Sequence, residues 1–481
     1  MRSATSHTVG NTRRTLLTVT LLLACQLSLG AEPRRLQVSA SVIERTATGQ
    51  SVDVLVLLDD AAEKRALAPL LPASGQPGEL RGAAYGRYIS ERARLLRDLK
   101  RGVMNALPNR DIQSLSNYDV LPVMHLRLAN AMALENLKAH NRVLSIDEIR
   151  EIQPMQTESL PLINQPTAQA AGRTGAGTTV CMLDSGTDYT RAAFGTCSTP
   201  GATGCKVAAA VDIAPDDGQL DDPAIGMHGT NVAGIVLGVA PGARVATVDV
   251  FTGGSGTSND MLGGINWCIA NRATYNIVAI NMSLGSGRYY SAVSPVDSIG
   301  TAIQTASSSG IVTVVASGNN GYTDSLAWPA AYSNVVSVGA VYDTSTGPMS
   351  YGMCSDLTAA DKVSCFSNSA SFLTLLAPGS SIVAAGLTRS GTSQAAPHVA
   401  GAVAVMAAAW PAENSAARVT RLTRGVDVTD TRNGIIRARL DLVAALANTS
   451  PAPQPLPTYG NCATTDCREG YGGWRVRSGL R

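Results

Sequence analysis

The sequence predicts an α/β protein: a three-layer parallel sheet with helices on both faces, preceded by a small α+β segment. Three observations carry this. Strand-like runs at 180–183, 244–251, 277–282, 311–316, 335–341 and 372–376 alternate with helix-like runs at 231–237, 259–271, 296–308 and 394–410. The strand-like runs are apolar at consecutive positions, as strands covered on both faces are. The last helix-like run is apolar all round, which places it in the interior of a domain. Composition agrees: 45% hydrophobic residues, 4% aromatic ones and 46 glycines suit close helix-on-sheet packing by small side chains. A chain of 481 residues has room for more than one domain, and a net charge of +2 gives no nucleic-acid footprint.

In chain order, residues 1–31 read as an export signal: Arg13 and Arg14 precede an apolar run at 16–23 that is too short to favour a spanning helix. Secretion, extracellular or periplasmic, is expected. Leu22-Leu23-Ala24-Cys25 also resembles a bacterial lipobox, so anchoring through a lipid on Cys25 is the alternative. Residues 32–155 contain no cysteine and many charges. They read as a strand at 52–58, an amphipathic helix at 88–107 stopped by Pro108, a strand at 125–128, a helix at 132–140 and an extended run at 143–149. The main domain is expected at 160–447. Residues 448–481 form a proline-rich linker, stiff over 451–457, and a short cysteine-containing tail.

The chemistry starts at Ser393. Residues 391–401 read as a sharp turn that delivers this serine onto the first turn of the buried helix, with Gly391 permitting an unusual backbone angle. There the hydroxyl meets unpaired backbone N–H groups and a positive partial field, which suit an oxyanion; the alternative is a plain helix cap. A nucleophile needs a base, and the chain has five histidines. His7, His125 and His140 lie in segments expected to be removed. His398 follows Ser393 on a different face of the same helix and reads as structural. His228 remains, in a loop opening a small-residue helix. The orienting acid is Asp184, at the carboxyl end of a buried strand, where α/β sheets place their sites.

Five segments, LDSGTD, HGTNVAG, NMSLGSG, VVASGNNG and GTSQAAPHVAG, occur in this order. Over roughly residues 165–447 the chain resembles subtilisin-like serine proteases, the subtilases of peptidase family S8. The resemblance implies a triad of Asp184, His228 and Ser393, with Asn319 as the oxyanion-hole side chain. It implies peptide binding by strand addition at Ser283, Leu284 and Gly285, with Gly318 and Ala316 leaving an open pocket for the residue before the cut. Residues 32–155 resemble the ferredoxin-like, inhibitor I9-like propeptide of that family. The implied protein is a secreted, monomeric serine endopeptidase, made as a zymogen, whose partners are peptide or protein substrates and its own propeptide. Gln394 stands where the family usually has Met, and Asn231 where it often has His. The alternative is a catalytically inactive relative that binds peptides or surfaces. An ester hydrolase is disfavoured because Ser393 lacks a G-x-S-x-G elbow.

No cofactor is required and no catalytic metal is expected. Asp212, Asp216, Asp217, Asp221 and Asp222 read as a solvated acidic loop, with structural calcium as the alternative. Of nine cysteines, Cys197/Cys205, Cys354/Cys365 and Cys462/Cys467 look like loop staples. Cys181 and Cys268, on a strand and a neighbouring helix, either pair or stay buried and free.

Overall fold

The computed structural model describes residues 36–447 except 109, 150, 155–159 and 353. The export signal, Cys25, the Cys462/Cys467 pair and the C-terminal tail lie outside the described residues.

Residues 36–154 build an α+β module. Its main elements are β1 (Val52–Leu58), α1 (Gly82–Ala106), β2 (Ile112–Asn117), β3 (Val123–Leu128), α2 (Ala131–Lys138) and β4 (Val143–Glu148). The sheet order is β4-β1-β3-β2, all antiparallel, with residues 37–38 added beside β4. β2 has no counterpart among the strands expected from sequence. Its residues, IQSLSN, include too few apolar ones to stand out, and pairing with β3 makes them a strand. β1 shows why the strand reads as apolar throughout. Val54, Val56 and Leu58 pack under α1 and α2 with Leu96, Val103 and Leu134. Leu55 and Leu57, on the opposite face by the two-residue period, pack against Met261, Ile265 and Ile303 of the larger domain.

A short strand, β5 (Glu151–Pro154), follows the module. The larger domain then runs through β6 (Thr179–Asp184), β7 (Val207–Asp212), α3 (His228–Val239), β8 (Arg244–Asp249), β9 (Gly256–Thr257) and α4 (Ser258–Ala270). It continues with β10 (Ile277–Met282), β11 (Leu284–Tyr289), α5 (Ser298–Ser308), β12 (Val312–Ala316), β13 (Val336–Val341) and β14 (Leu375–Pro378). Its last elements are a hairpin of β15 (Ile382–Ala384) and β16 (Leu387–Arg389), then α6 (Thr392–Ala409), β17 (Val426–Thr429) and β18 (Ile436–Arg439).

The large sheet has nine described strands in the order β17-β18-β14-β13-β12-β10-β6-β8-β7. Every pairing is parallel except the β17–β18 edge hairpin. Side chains of β6 alternate between two cores. Val180 and Met182 face α3 and α6; Cys181 and Leu183 face α4 and α5. This is the expected three-layer architecture, with α6 across its middle. Positions 392–407 of α6 are all buried.

Three local readings shift. The strand read at 372–376 is at Leu375–Pro378, because Phe372 and Leu373 turn into a separate apolar cluster first. The edge strand β7 takes in Asp212, the first residue of the supposed acidic loop. Gly391 has φ 165°, extended backbone open to any residue, so the turn before Ser393 does not depend on a glycine-specific angle. The disulfides Cys197–Cys205 and Cys354–Cys365 are present, and Cys181 pairs with Cys268, joining β6 to α4.

Candidate active site

The carboxyl ends of β6, β10 and β12 open on one side of the sheet, and the site residues come from the turns that follow them. β6 is buried along its whole length and ends at Asp184, which is 2% exposed. His228 reaches it through a tight turn. Gly226 and Met227 both take left-handed backbone, with φ 70° and 59°, and His228 then opens α3 instead of lying in the preceding loop. Its Nδ1 lies 2.6 Å from Asp184 Oδ1, which also accepts from the Ser185 amide at 2.9 Å. An ionised carboxylate there fixes the ring proton on Nδ1 and makes Nε2 the basic nitrogen.

Sequence reasoning missed the layer behind this pair. Asp221 accepts from Ser185 Oγ at 2.7 Å and from the Thr230 amide at 2.7 Å; the Gly229 amide donates to Ser185 Oγ at 3.0 Å. These bonds lock the strand end that carries Asp184 to the first turn of the helix that carries His228. Burial pushes Asp221 up to about 6, and pushes Asp249, at the end of β8, up to about 8. The acidic run 212–222 therefore does not act as one loop. Asp221 braces the site, Asp222 caps the Ala224 amide at 2.8 Å, and Asp216 and Asp217 accept from Gly218 and Gln219 within their own turn. Among the described residues, no three His, Cys, Asp or Glu side chains converge as a metal site.

Ser393 is the second residue of α6. Its Oγ donates to the Ser283 carbonyl at 3.0 Å, and Ser283 Oγ donates back to the Ser393 carbonyl. Asn319 sits in the loop after β12. Its Oδ1 accepts from the amide and the hydroxyl of Thr392, each at 2.8 Å. Thr392 Oγ1 in turn accepts from the Gly318 amide at 3.0 Å. With the oxygen held, the carboxamide has its NH2 end left as a donor beside the nucleophile turn. Gly318 has φ 111°, and a methyl group there would come 2.2 Å from Asn368 Nδ2. Asn368 also accepts from the Asn320 and Tyr322 amides, which sets the loop carrying Asn319. Thr392 and Asn368 carried no signal of their own in the sequence.

The two departures from the family pattern meet. Gln394 Nε2 donates to Asn231 Oδ1 at 2.9 Å, and Asn231 Nδ2 donates to the Leu387 carbonyl at 3.0 Å. One buried pair thus ties the nucleophile helix to the histidine helix, one turn past His228. His398 is buried, with Nδ1 2.7 Å from the Gln394 carbonyl, consistent with a structural histidine.

Ser283, Leu284 and Gly285 lie where β10 passes into β11, and β5 pairs with this segment. Gln153 is opposite Gly285 and Pro154 opposite Leu284 on one side; Ile152 is opposite Gly256 and Glu151 opposite Thr257 on the other. Both pairings are antiparallel, so β5 is the middle strand of a ribbon that runs toward Ser283. A methyl group on Gly285 would lie 2.7 Å from the Trp328 carbonyl, so the groove wall has room only for glycine there.

A parallel α/β sheet that gathers a buried aspartate–histidine pair and a helix-terminal serine at one end fits a class of serine hydrolases. Residues 175–471 match the model of the Subtilase family, and the chain belongs to that family. The chain is 29% identical over 343 residues to alkaline serine exoprotease A of Vibrio alginolyticus, covering 66% of this chain and 57% of that protein. It is 37% identical over 190 residues to alkaline proteinase of Hapsidospora chrysogena, covering 37% of this chain and 42% of that one. With subtilisin E of Bacillus subtilis (strain 168), the figures are 31% over 302 residues, 58% and 69%. The chain thus spans about half the length of the first two relatives. Among the described residues, no helix is long and apolar enough to cross a membrane.

Proposed function

We propose that the protein is an exported serine endopeptidase, made as a zymogen, that cuts peptide bonds through an acyl-enzyme. The observation that carries this reading is β5. A piece of the chain's own backbone occupies the strand slot beside Ser283 that an extended peptide substrate would take. The module at 36–148 would then be the propeptide that holds β5 in place.

In this mechanism Ser393 Oγ attacks the peptide carbonyl while His228 Nε2 removes its proton. The imidazolium, held by Asp184, then protonates the departing amine, and water repeats the sequence to release the acid. The Asn319 amide and the Ser393 N–H bind the oxyanion. One such donor is worth about 100- to 1,000-fold in rate. The register of β5 points to the cut. Pro154 faces Leu284, the next residue in the chain is Met155, and the next on the wall is Ser283, the hydrogen-bond partner of Ser393. We place the maturation cut after Met155.

A fluorophosphonate probe followed by peptide mapping tests the reading. Labelling of the processed protein at Ser393 is expected. A folded, processed protein that takes no label and cleaves no peptide would sink it in favour of an inactive peptide-binding relative.

A further inference from the structure

One charged side chain beside the site has no part in the mechanism above. Arg389 ends β16, four residues before Ser393. Its guanidinium lies over Gly226, two residues ahead of His228: a methyl group on Gly226 would come 2.0 Å from Nη2 and 3.1 Å from Nη1. The side chain is partly buried, and its Nε is buried without a hydrogen-bond partner. Asp221 and Asp184 act on it through space, but their bonds go to Ser185, Thr230 and His228. Arg191, Arg421, Arg432 and Arg439 of this domain each have a carboxylate within 3.1 Å. Arg244 and Arg418 share with Arg389 a buried Nε without a hydrogen-bond partner, and Arg418 donates through Nη1 to the Gly310 carbonyl; what sets Arg389 apart is its place against the turn that carries His228. A guanidinium keeps its charge and offers five donors, so half-desolvating it without an acceptor is unfavourable until an anion arrives.

The direction of the groove says which half of a peptide would bring that anion. β5 occupies the groove between β9 and β11 and runs toward Ser283 and Ser393, so that groove takes the acyl half. The amine half leaves on the side of His228, which protonates it, and the Arg389 guanidinium sits beside the turn that carries His228. We propose that Arg389 reads the leaving half of the substrate by binding a carboxylate on the first or second residue after the scissile bond. That carboxylate is an Asp or Glu side chain or the carboxy-terminus of a short leaving peptide. This rests on the peptidase reading above. Arg389 is then a specificity residue: it pairs with an acid and repels a Lys or Arg at the same place.

The test uses the processed enzyme, with active sites counted by the fluorophosphonate label. One set of quenched fluorescent peptides shares its acyl half and carries Glu, Gln or Lys at the first and second positions after the cut. A second set ends two residues after the cut in a free carboxylate or a carboxamide. The expected kcat/KM order is Glu over Gln over Lys, with Glu about tenfold or more above Lys at low salt and the ratio shrinking toward one at 1 M salt. Arg389→Gln should flatten the order and Arg389→Glu should invert it. A response confined to the second set identifies the carboxy-terminus as the anion and supports the same site. Equal rates for Glu and Lys in both the wild-type enzyme and its Arg389→Glu variant, with carboxylate and carboxamide ends equivalent, would overturn the proposal. Absence of labelling together with no cleavage of any peptide would overturn the peptidase reading and this inference with it.

Discussion

The sheet of the N-terminal module has one face under its own helices and the other against α4 and α5 of the larger domain, whereas the nine-stranded sheet is covered on both faces by helices of its own domain. The described disulfides all lie in the larger domain; the segment 32–155 has no cysteine. Buried charge is also distributed differently. Lys100 of the module lies against the Tyr118 carbonyl, and burial pushes it down to about 7. Asp147 of β4 is buried where module meets domain, accepting from the Ser298 amide at 2.9 Å and from Ser145 Oγ at 2.9 Å. Desolvation, with the Asp297 carboxylate nearby, pushes Asp147 up to about 6. The module therefore borrows half of its core from its neighbour and tolerates costly charges at the seam. The larger domain is closed on itself. On the proposed reading, the first arrangement suits a part that is to come away, the second a part that is to last.

The largest expected effect falls on the chemistry. Ser393→Ala should lower kcat by about 10⁶-fold and leave the module covalently attached. N-terminal sequencing of the purified variant checks this, and a variant that still starts after Met155 would show that another protease makes the cut. The next effect falls on persistence. Removing Cys181–Cys268, which spans 87 residues, should destabilise the processed domain by about 4–5 kcal/mol on the chain-entropy account, against about 2–3 kcal/mol for Cys197–Cys205, which spans 8. Urea unfolding of both double-alanine variants measures the difference; equal midpoints would mean that the long closure adds nothing.

The smallest effect belongs to the seam. The docked state holds a proton on Asp147 up to about pH 6, while the separated module releases it near the ordinary carboxylate value of 3.8. Docking is therefore favoured in full below that ordinary value and weakens as pH rises through 6. Affinity should fall by about one to two orders of magnitude across this window, because proton release and docking are linked. Burial also lowers the pKa of His125 in the module. Asp147→Asn isolates the seam, because it should remove most of the pH dependence between 4 and 6. Inhibition of the processed enzyme by its own cleaved module, followed across pH 4–7, reads this out.

The elements legible in the sequence were those whose signal is local. Strands buried on both faces announce themselves as apolar runs, and the helix at 392–409 announces itself by lacking a polar face. His228 followed from elimination and Asp184 from its place at a strand end. What stayed hidden depends on partners far along the chain. Ser185 gains its role from Asp221, and Thr392 from Asn319; Asn368 becomes important only because Gly318 passes under it. The 212–222 run misled because closeness in sequence suggested one charged cluster, while the fold sends Asp221 inward and leaves Asp216 and Asp217 in a turn. Gln394 and Asn231 read as two unrelated departures and turn out to be one hydrogen bond.

The place of β5 has a consequence for timing. While the chain is whole, the strand in the groove is tethered, and its effective concentration there is set by the short connection and not by how much protein is present. On the proposed reading, a single cut after Met155 converts that hold into an ordinary two-body equilibrium. From then on dilution alone loosens it, and each released module exposes Leu55 and Leu57, the face it had shared with α4 and α5. Activity would thus appear as the protein spreads from where it was made, in step with volume and without a second molecule to trigger it.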